Sequence, residues 1–426
     1  MELGIIADDN TGATDAAGML TERGARTLLI CGASPPDADL KAYDAVVIGT
    51  RSRSIDPPGA YRRVAEAARF FRSAGARKIQ LKYCSTFDST PAGNIGPSLD
   101  AALDSLGLDW AVVAPALPAL GRTTYQGYHF VHDQLLSESP LRNHPLNPMT
   151  DANVVRWLAH QTQRTVTLAP LAVVREGAAA LGQFIAERAG EGASYVVVDA
   201  IEDRDLAVAA EATAALPFVS GASGITAALA GILFPDRAPL SFADRIARIP
   251  PATAVICGSM SEASRAQSAL ARQNGFCEIG VLGRRILLGE VTPQEIARAA
   301  GECIEQGENV LVSSSVESSA DVEETQKLGA QLGMTAVQTG VVIARFLADV
   351  ARELVANPRL GRLVVAGGET SCFVCDAVGI SSLEVGLPLD PGVPYCFPLD
   401  LGRDMLVVLK SGNFGSRDLY CKVARL

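Results

Sequence analysis

Aromatic residues are scarce, at 5% of the chain, and small and branched side chains supply most of an apolar content of 48%. A core poor in rings and rich in alanine, valine, glycine and leucine favours buried parallel strands covered by helices. Basic residues are also in deficit: the net charge is −10 and the pI near 5.1, which argues against a nucleic-acid or anionic-membrane partner. Small anionic ligands stay open, because a few local cations and helix N-termini outweigh a dispersed negative surface. No apolar run is long enough to cross a bilayer and no basic leader precedes the first strand, so a cytoplasmic location is expected. Neither Gly-x-Gly-x-x-Gly nor Gly-x-x-x-x-Gly-Lys-Ser/Thr occurs, which disfavours a standard dinucleotide fold and a P-loop. Of the four histidines, His129 and His132 are read as sharing a helical face, and neither has a partner at a recognisable metal spacing. The nine cysteines are odd in number and sit mostly in apolar surroundings, which points to reduced thiols and excludes a disulfide framework.

What is present is a long alternation of apolar runs and helical patterns. A chain of 426 residues exceeds what one core usually holds, so two domains are expected. In the first half, candidate strands at 3–7, 27–31, 45–49, 78–83 and 110–114 are separated by helical segments at 59–73 and 95–106. Further strands fit 165–168 and 195–198, a helix over 152–161 is capped by Thr150 or Asp151 after the loop from Pro145, and an alanine-rich helix follows Gly221. The segment Ser241 to Ala252, with its Pro250-Pro251 pair, closes this block. A second block runs through strands at 254–257 and 309–313, the strand ending at Ala366, and a last strand at 405–410. The fold class is therefore α/β: two domains, 1–245 and 246–426, each a mostly parallel, helix-covered sheet.

Ligands of open α/β sheets sit beyond the carboxyl ends of the strands. In the first block those ends carry Asp8 and Asp9, Arg51 and Arg53, the run Lys82-Tyr83-Cys84-Ser85-Thr86 followed by Asp88, and Gly121-Arg122-Thr123-Thr124. Cations among hydroxyls suit a short polyhydroxylated carboxylic acid, and a carboxylate beside a hydroxyl can take its proton. Each feature also has a plainer reading: Asp8-Asp9 as a helix cap, one of the alternating arginines as solvated surface.

The second block places Gly258-Ser259 after one strand, Gly367-Gly368-Glu369-Thr370 after another and Ser411-Gly412-Asn413 after a third. Paired glycines let backbone approach a ligand, and the N–H groups of the following helix start favour a phosphate, although such a turn also serves packing alone. Cys372 and Cys375 at that helix start lack a second pair of ligands and are read as small core residues.

The segments GIIADDNTGATDAAG, GTRSRS, KYCSTFDSTPAGNIGP, APALPALGRTTYQGY, HPLNPMTDANVVRWL, VICGSMSEAS, VVAGGETS and LKSGNFGSRDLY, in this order along nearly the whole chain, resemble the four-carbon acid sugar kinase family. KYCSTFDST and HPLNPMTD resemble its 3-oxo-tetronate kinase branch; the threonate and erythronate kinases carry a KVDST-type segment instead. The resemblance implies an N-terminal acid-sugar domain, a C-terminal ATP domain, Mg²⁺, an active site in the interdomain cleft that closes on its substrates, and phosphorylation of the terminal O4. It assigns Asp9, Arg53, Lys82, Tyr83, Cys84 and Ser85 to substrate, and Ser259, Ala366, Gly367, Gly368, Glu369, Thr370 and Gly412 to nucleotide. Asp9 is the expected proton acceptor, with Asp8 supporting it or helping to hold Mg²⁺; Arg53 and Lys82 anchor the carboxylate and oxo group. A homo-oligomer is compatible with these features. The competing readings are a D-threonate or erythronate kinase, a non-catalytic acid-sugar-binding protein and a dehydrogenase. The last two are disfavoured by the second glycine-rich domain and by the missing dinucleotide fingerprint.

Overall fold

The computed structural model describes residues 1–31, 39–143, 147–314 and 319–426, so His144, Pro145 and Leu146 of HPLNPMTD lie outside the described residues. The chain packs as two units, Met1–Pro239 and Leu240–Leu426. Phe242 and Arg245, from the proline-containing segment, belong by contact to the second: Phe242 packs on Tyr395 and Phe397, and Arg245 Nη1 reaches Glu384 Oε2 at 2.7 Å.

The strands of the first unit are β1 (Leu3–Ala7), β2 (Thr27–Cys31), β3 (Ala45–Gly49), β4 (Lys78–Lys82), β5 (Ala111–Ala114), β6 (Arg122–Tyr125), β7 (Tyr128–Val131), β8 (Gln134–Leu135), β9 (Val166–Ala169), β10 (Tyr195–Val198) and β11 (Phe218–Gly221). Eight of them form a parallel sheet in the order β2-β3-β1-β4-β11-β5-β10-β9. β1 to β5 are buried throughout, as expected where helices cover both faces. Apolar side chains from the two faces make two separate clusters, one around Phe71, Leu99 and Trp157 and the other around Leu181, Leu206 and Leu229.

Registry sets the site. Ala7 lies opposite both Gly49 and Lys82, and Gly221 opposite Lys82, so β3, β1, β4 and β11 end in one row. The strand order reverses at β1, so the crossovers leave it to opposite sides, the arrangement that sets ligand sites in open α/β sheets.

The second unit contains β12 (Ala252–Cys257), β13 (Cys277–Gly280), β14 (Val310–Ser313), β15 (Leu360–Ala366), β16 (Ser382–Asp390), β17 (Val393–Pro398) and β18 (Leu406–Lys410). Its sheet runs β13-β14-β12-β15-β18-β17-β16, parallel up to β18 and antiparallel at β17 and β16. Ser313, Cys257, Ala366 and Lys410 end their strands in a second row, again around a reversal, here at β12.

Three expectations are corrected. The helix after Asp151 spans only Val154–Ala159, because Asn153 caps it through Arg156 N at 2.9 Å, while Asp151 grips the Arg156 guanidinium. His129 lies on β7 and His132 just beyond it at φ 56°, so the two share no helical face. Cys277 at the start of β13 is disulfide-bonded to Cys303 in the helix Pro293–Glu305, which strand and helix packing brings to a Cα separation of 6.4 Å. Cys372 and Cys375 form no disulfide, and Cys375 is buried in the core. Among the described residues no single helix is long and apolar enough to cross a membrane.

Candidate functional site

Asp9 lies where β1 breaks into the helix Asn10–Glu22. It is the N-cap: Oδ1 accepts from Gly12 N at 2.7 Å and Oδ2 from the Thr11 hydroxyl at 3.0 Å. The plain reading of this aspartate as a cap is thus correct, and it does not exhaust the residue. Arg53 Nη1 stands 3.0 Å from Asp9 Oδ2, and the same guanidinium holds Asp8 bidentately, Nε to Oδ2 at 2.8 Å and Nη2 to Oδ1 at 2.9 Å. One fork therefore clamps both carboxylates. Burial pushes the Asp9 carboxyl up, but Arg53, Lys82, Gly12 N–H and Thr11 together hold it below the usual carboxylate range.

Backbone brings Arg53 there. Ser52 N and Arg53 N both donate to Asp8 O, at 2.9 and 3.2 Å, so the chain leaving β3 folds back over β1. Asn94 fixes that turn, its Nδ2 donating to Ser52 O and Ile55 O at 2.7 Å each. Arg51, the alternate arginine, takes a positive φ of 52° in this turn.

Lys82 ends β4 and is buried; a β-carbon at Gly12 would collide with its Nζ, so the glycine is what lets the ammonium come beneath the helix start. It lies among Asp9 and Asp15, lowering both carboxyls against the burial that raises them; for Asp15 burial wins. Asp15, also buried, accepts from the Ser223 hydroxyl at the start of the helix after β11. Sequence reasoning missed Asp15, Asn94 and Ser223, whose roles depend on which strands are neighbours.

The next residues divide. Tyr83 turns into the core, edge-on to Phe87 with a ring separation of 5.3 Å and its hydroxyl 3.4 Å from Ser220 Oγ. Cys84 is half-buried with Sγ 3.0 Å from Thr86 Oγ1, and the Ser85 carbonyl accepts from His129 Nε2 at 2.7 Å. His129 Nδ1 meets the Thr124 hydroxyl at 3.0 Å, and burial pushes the ring down to about 4, so it is a neutral brace joining the β6–β7 hairpin to the β4 loop. Arg122 and Thr124, read from sequence as a strand-end turn, belong to that hairpin, which Asp199 pins through Gln126 N and Gly127 N. The void bounded by Asp8, Arg53, Lys82, Tyr83, Asp88 and Asn94 is only about 10 Å³, room for one water.

In the second unit, Gly258, Ser259, Gly367, Gly368, Glu369, Thr370 and Gly412 line one cavity of about 280 Å³. Ala366 does not; it is wholly buried and gives its carbonyl to Gly258 N. Gly367 has φ 124°, a conformation glycine adopts and L side chains avoid, and it starts the helix Gly368–Val378. At Gly258 a β-carbon would collide with Thr370 Oγ1, and at Gly412 it would lie 2.6 Å from Ser259 Oγ. Bare backbone, serine hydroxyls and a helix N-terminus thus form a cradle for an anion. Glu369 is exposed at the edge of the cavity, and partial desolvation there raises its carboxyl. The far wall, with Gly283, Thr325, Gln326, Gly340 and Ile343, comes from helices that sequence reasoning did not place.

Residues 3–229 match the family described as Sugar-binding N-terminal domain and residues 254–420 the Nucleotide-binding C-terminal domain. A 3-oxo-tetronate kinase of Burkholderia multivorans is 41% identical over 431 residues, spanning 99% of this chain and 96% of the relative. Among solved structures, a Salmonella typhimurium LT2 protein provisionally named a tRNA synthase is similar with a TM-score of 0.86 and 33% identity, over 99% of this chain and 98% of its own. A Haemophilus influenzae protein is similar with a TM-score of 0.79 and 32% identity, over 99% of each chain.

Proposed function

We propose, since this chain belongs to the four-carbon acid sugar kinase family built from a sugar-binding N-terminal and a nucleotide-binding C-terminal domain, that it is an ATP-dependent kinase acting on the terminal O4 of a 3-oxo-tetronate. The observation that carries this reading is the pair of strand-end rows, one bearing carboxylates and cations, the other a glycine and serine cradle. A tRNA ligand would ask for a basic surface, and the net charge is −10.

The acid-sugar O4 attacks the terminal phosphorus of ATP; the new O–P bond forms as the bond to the bridging oxygen breaks, and ADP leaves. Such transfer needs alignment and charge neutralisation more than covalent help from the protein. Asp9, kept ionised by its cations, accepts the O4–H hydrogen bond and directs a lone pair toward phosphorus. Its lowered basicity makes it an orienting group first, taking the proton as the O–P bond forms. Arg53 commits two of its five N–H donors to Asp8 and pairs with Asp9 by charge, leaving donors on Nη1 and Nη2 for a carboxylate or oxo oxygen. Lys82 supplies a second cation, and the half-buried Cys84 and Ser85 lie on the same loop.

The cradle of Gly367, Gly412 and Ser259 suits a polyphosphate: a β-carbon at either glycine would crowd Thr370 or Ser259 on the cavity wall. Mg²⁺ brought with the nucleotide would supply charge neutralisation. Asp321 and Glu369, the two carboxylates on the cavity wall, are the residues that would hold it, whereas Asp8 has both oxygens engaged by Arg53.

ADP release with Mg-ATP across both 3-oxo-tetronate enantiomers, D- and L-threonate and D-erythronate tests the reading. Turnover confined to an oxo-acid is expected; turnover of threonate or erythronate would move the chain to the sister activity, and silence on all five would remove the substrate class.

A further inference from the structure

Lys410 ends β18 with its side chain wholly buried. Its Nζ donates to Gln267 Oε1 at 2.7 Å, Ser264 Oγ at 2.9 Å and Gly412 O at 2.9 Å, and the Tyr420 ring centroid lies 6.0 Å away. All three oxygens are neutral. Among the described residues no carboxylate lies within ion-pair distance of it, although a buried ammonium ordinarily demands one.

The ammonium is tied to the cavity on two sides. The Lys410 carbonyl accepts from Gly367 N at 2.9 Å, and the Gly412 carbonyl that Nζ holds also accepts from Ser261 and Ser264 hydroxyls, at 2.5 and 3.0 Å. Gln267 completes the arrangement, its Nε2 donating to Phe414 O, Gly415 O and Ser416 O at 3.0, 3.0 and 3.1 Å. Gly367 and Gly412 both line the cavity.

We propose that Lys410 is a positioning residue for nucleotide: it fixes Gly412 against Gly367 and is the buried positive charge whose missing counter-ion the bound polyphosphate supplies. The inference rests on the nucleotide reading of the second unit. Its consequence is a proton linkage. Burial pushes the ammonium down to about 8, with the nearby Cys257 thiol pulling the other way. The other titratable group beside it is the Tyr420 phenol, which donates to Cys257 Sγ at 3.8 Å; the cavity itself carries the carboxylates Asp321 and Glu369. A polyphosphate in the cradle favours the charged lysine, so binding takes up a proton near and above pH 8, and affinity falls as pH rises from there.

The test is calorimetric titration with ADP and with adenosine, at pH 7 and 9 and in two buffers of different ionisation enthalpy, on the full-length wild type and Lys410→Met. Wild type should lose about fivefold or more in ADP affinity between the two pH values, with proton uptake, while adenosine shows neither effect. Lys410→Met should bind ADP about tenfold more weakly at pH 7, without the lysine-linked pH dependence, and bind adenosine as wild type does. Equal ADP binding by the variant, or parallel loss of ADP and adenosine, would overturn the proposal. If the variant does not fold, the wild-type proton count decides: no uptake with ADP overturns it. Wild type that binds neither ligand overturns the nucleotide reading itself.

Discussion

Asp9 carries two duties that are separable by substitution. Its Oδ1 caps the helix through Gly12 N, whereas its charge engages Arg53 and Lys82. Asp9→Asn keeps an oxygen for the cap and removes the charge, so turnover should fall by about a hundredfold with the thermal midpoint little changed; near-normal turnover in an ADP-release assay would reject the assignment. Because the carboxyl is held below the usual carboxylate range, wild-type turnover should stay flat from pH 7 down to 5 as far as this group is concerned. An acid limb inside that window, present in wild type and absent in Asp9→Asn, would contradict it. Cys84 offers a second test at this scale. It lies half-buried beside Thr86, in the segment that distinguishes the oxo-acid branch from the KVDST type. Cys84→Asp should shift preference toward threonate or erythronate in a competition assay; unchanged selectivity would show that the segment does not read the ketone.

At the scale of elements, the strand-to-turn junctions do the work, and Gly367 is the most demanding. With φ at 124° and a β-carbon 3.1 Å from Thr370 Oγ1, Gly367→Ala strains the turn by about 1–3 kcal/mol and intrudes on the cradle. The KM for ATP should rise while that for the acid stays put; equal changes in both would mean a general loss of fold. The junctions were legible in the sequence because buried parallel strands announce themselves as apolar runs, and the turns that follow hold the chemistry. β16 and β17 were not, since Pro388, Pro394 and Pro398 make this antiparallel pair read as loop. The hairpin carrying His129 was misread for a related reason: two histidines three apart suit a helix as well as a strand, and only Ser85 and Thr124 reveal what the ring does. Asn94, Gln267 and Lys410 hold backbone carbonyls of distant segments, and no local pattern encodes that.

At the scale of the whole molecule, two sheets of similar plan support opposite chemistries, and the braces beneath them set the pH behaviour of the fold. His129 stays neutral in the native first unit down to about pH 4, whereas an unfolded histidine takes its proton near 6.5. The unfolded chain therefore binds more protons between these values, and stability falls with falling pH by about 2 kcal/mol between pH 7 and 5 from this group. Denaturant unfolding at the two pH values should show that loss, and His129→Asn should reduce it; an unchanged difference would remove His129 as the cause. The central claim concerns the bond that is made, and phosphorus NMR of the product from Mg-ATP and the 3-oxo-tetronate that turns over tests it directly. A phosphate ester on O4 is coupled to the two protons of the terminal carbon and should appear as a triplet in the proton-coupled spectrum, matched by stoichiometric ADP. A doublet, from esterification of the C2 hydroxyl, or inorganic phosphate alone, would contradict the account.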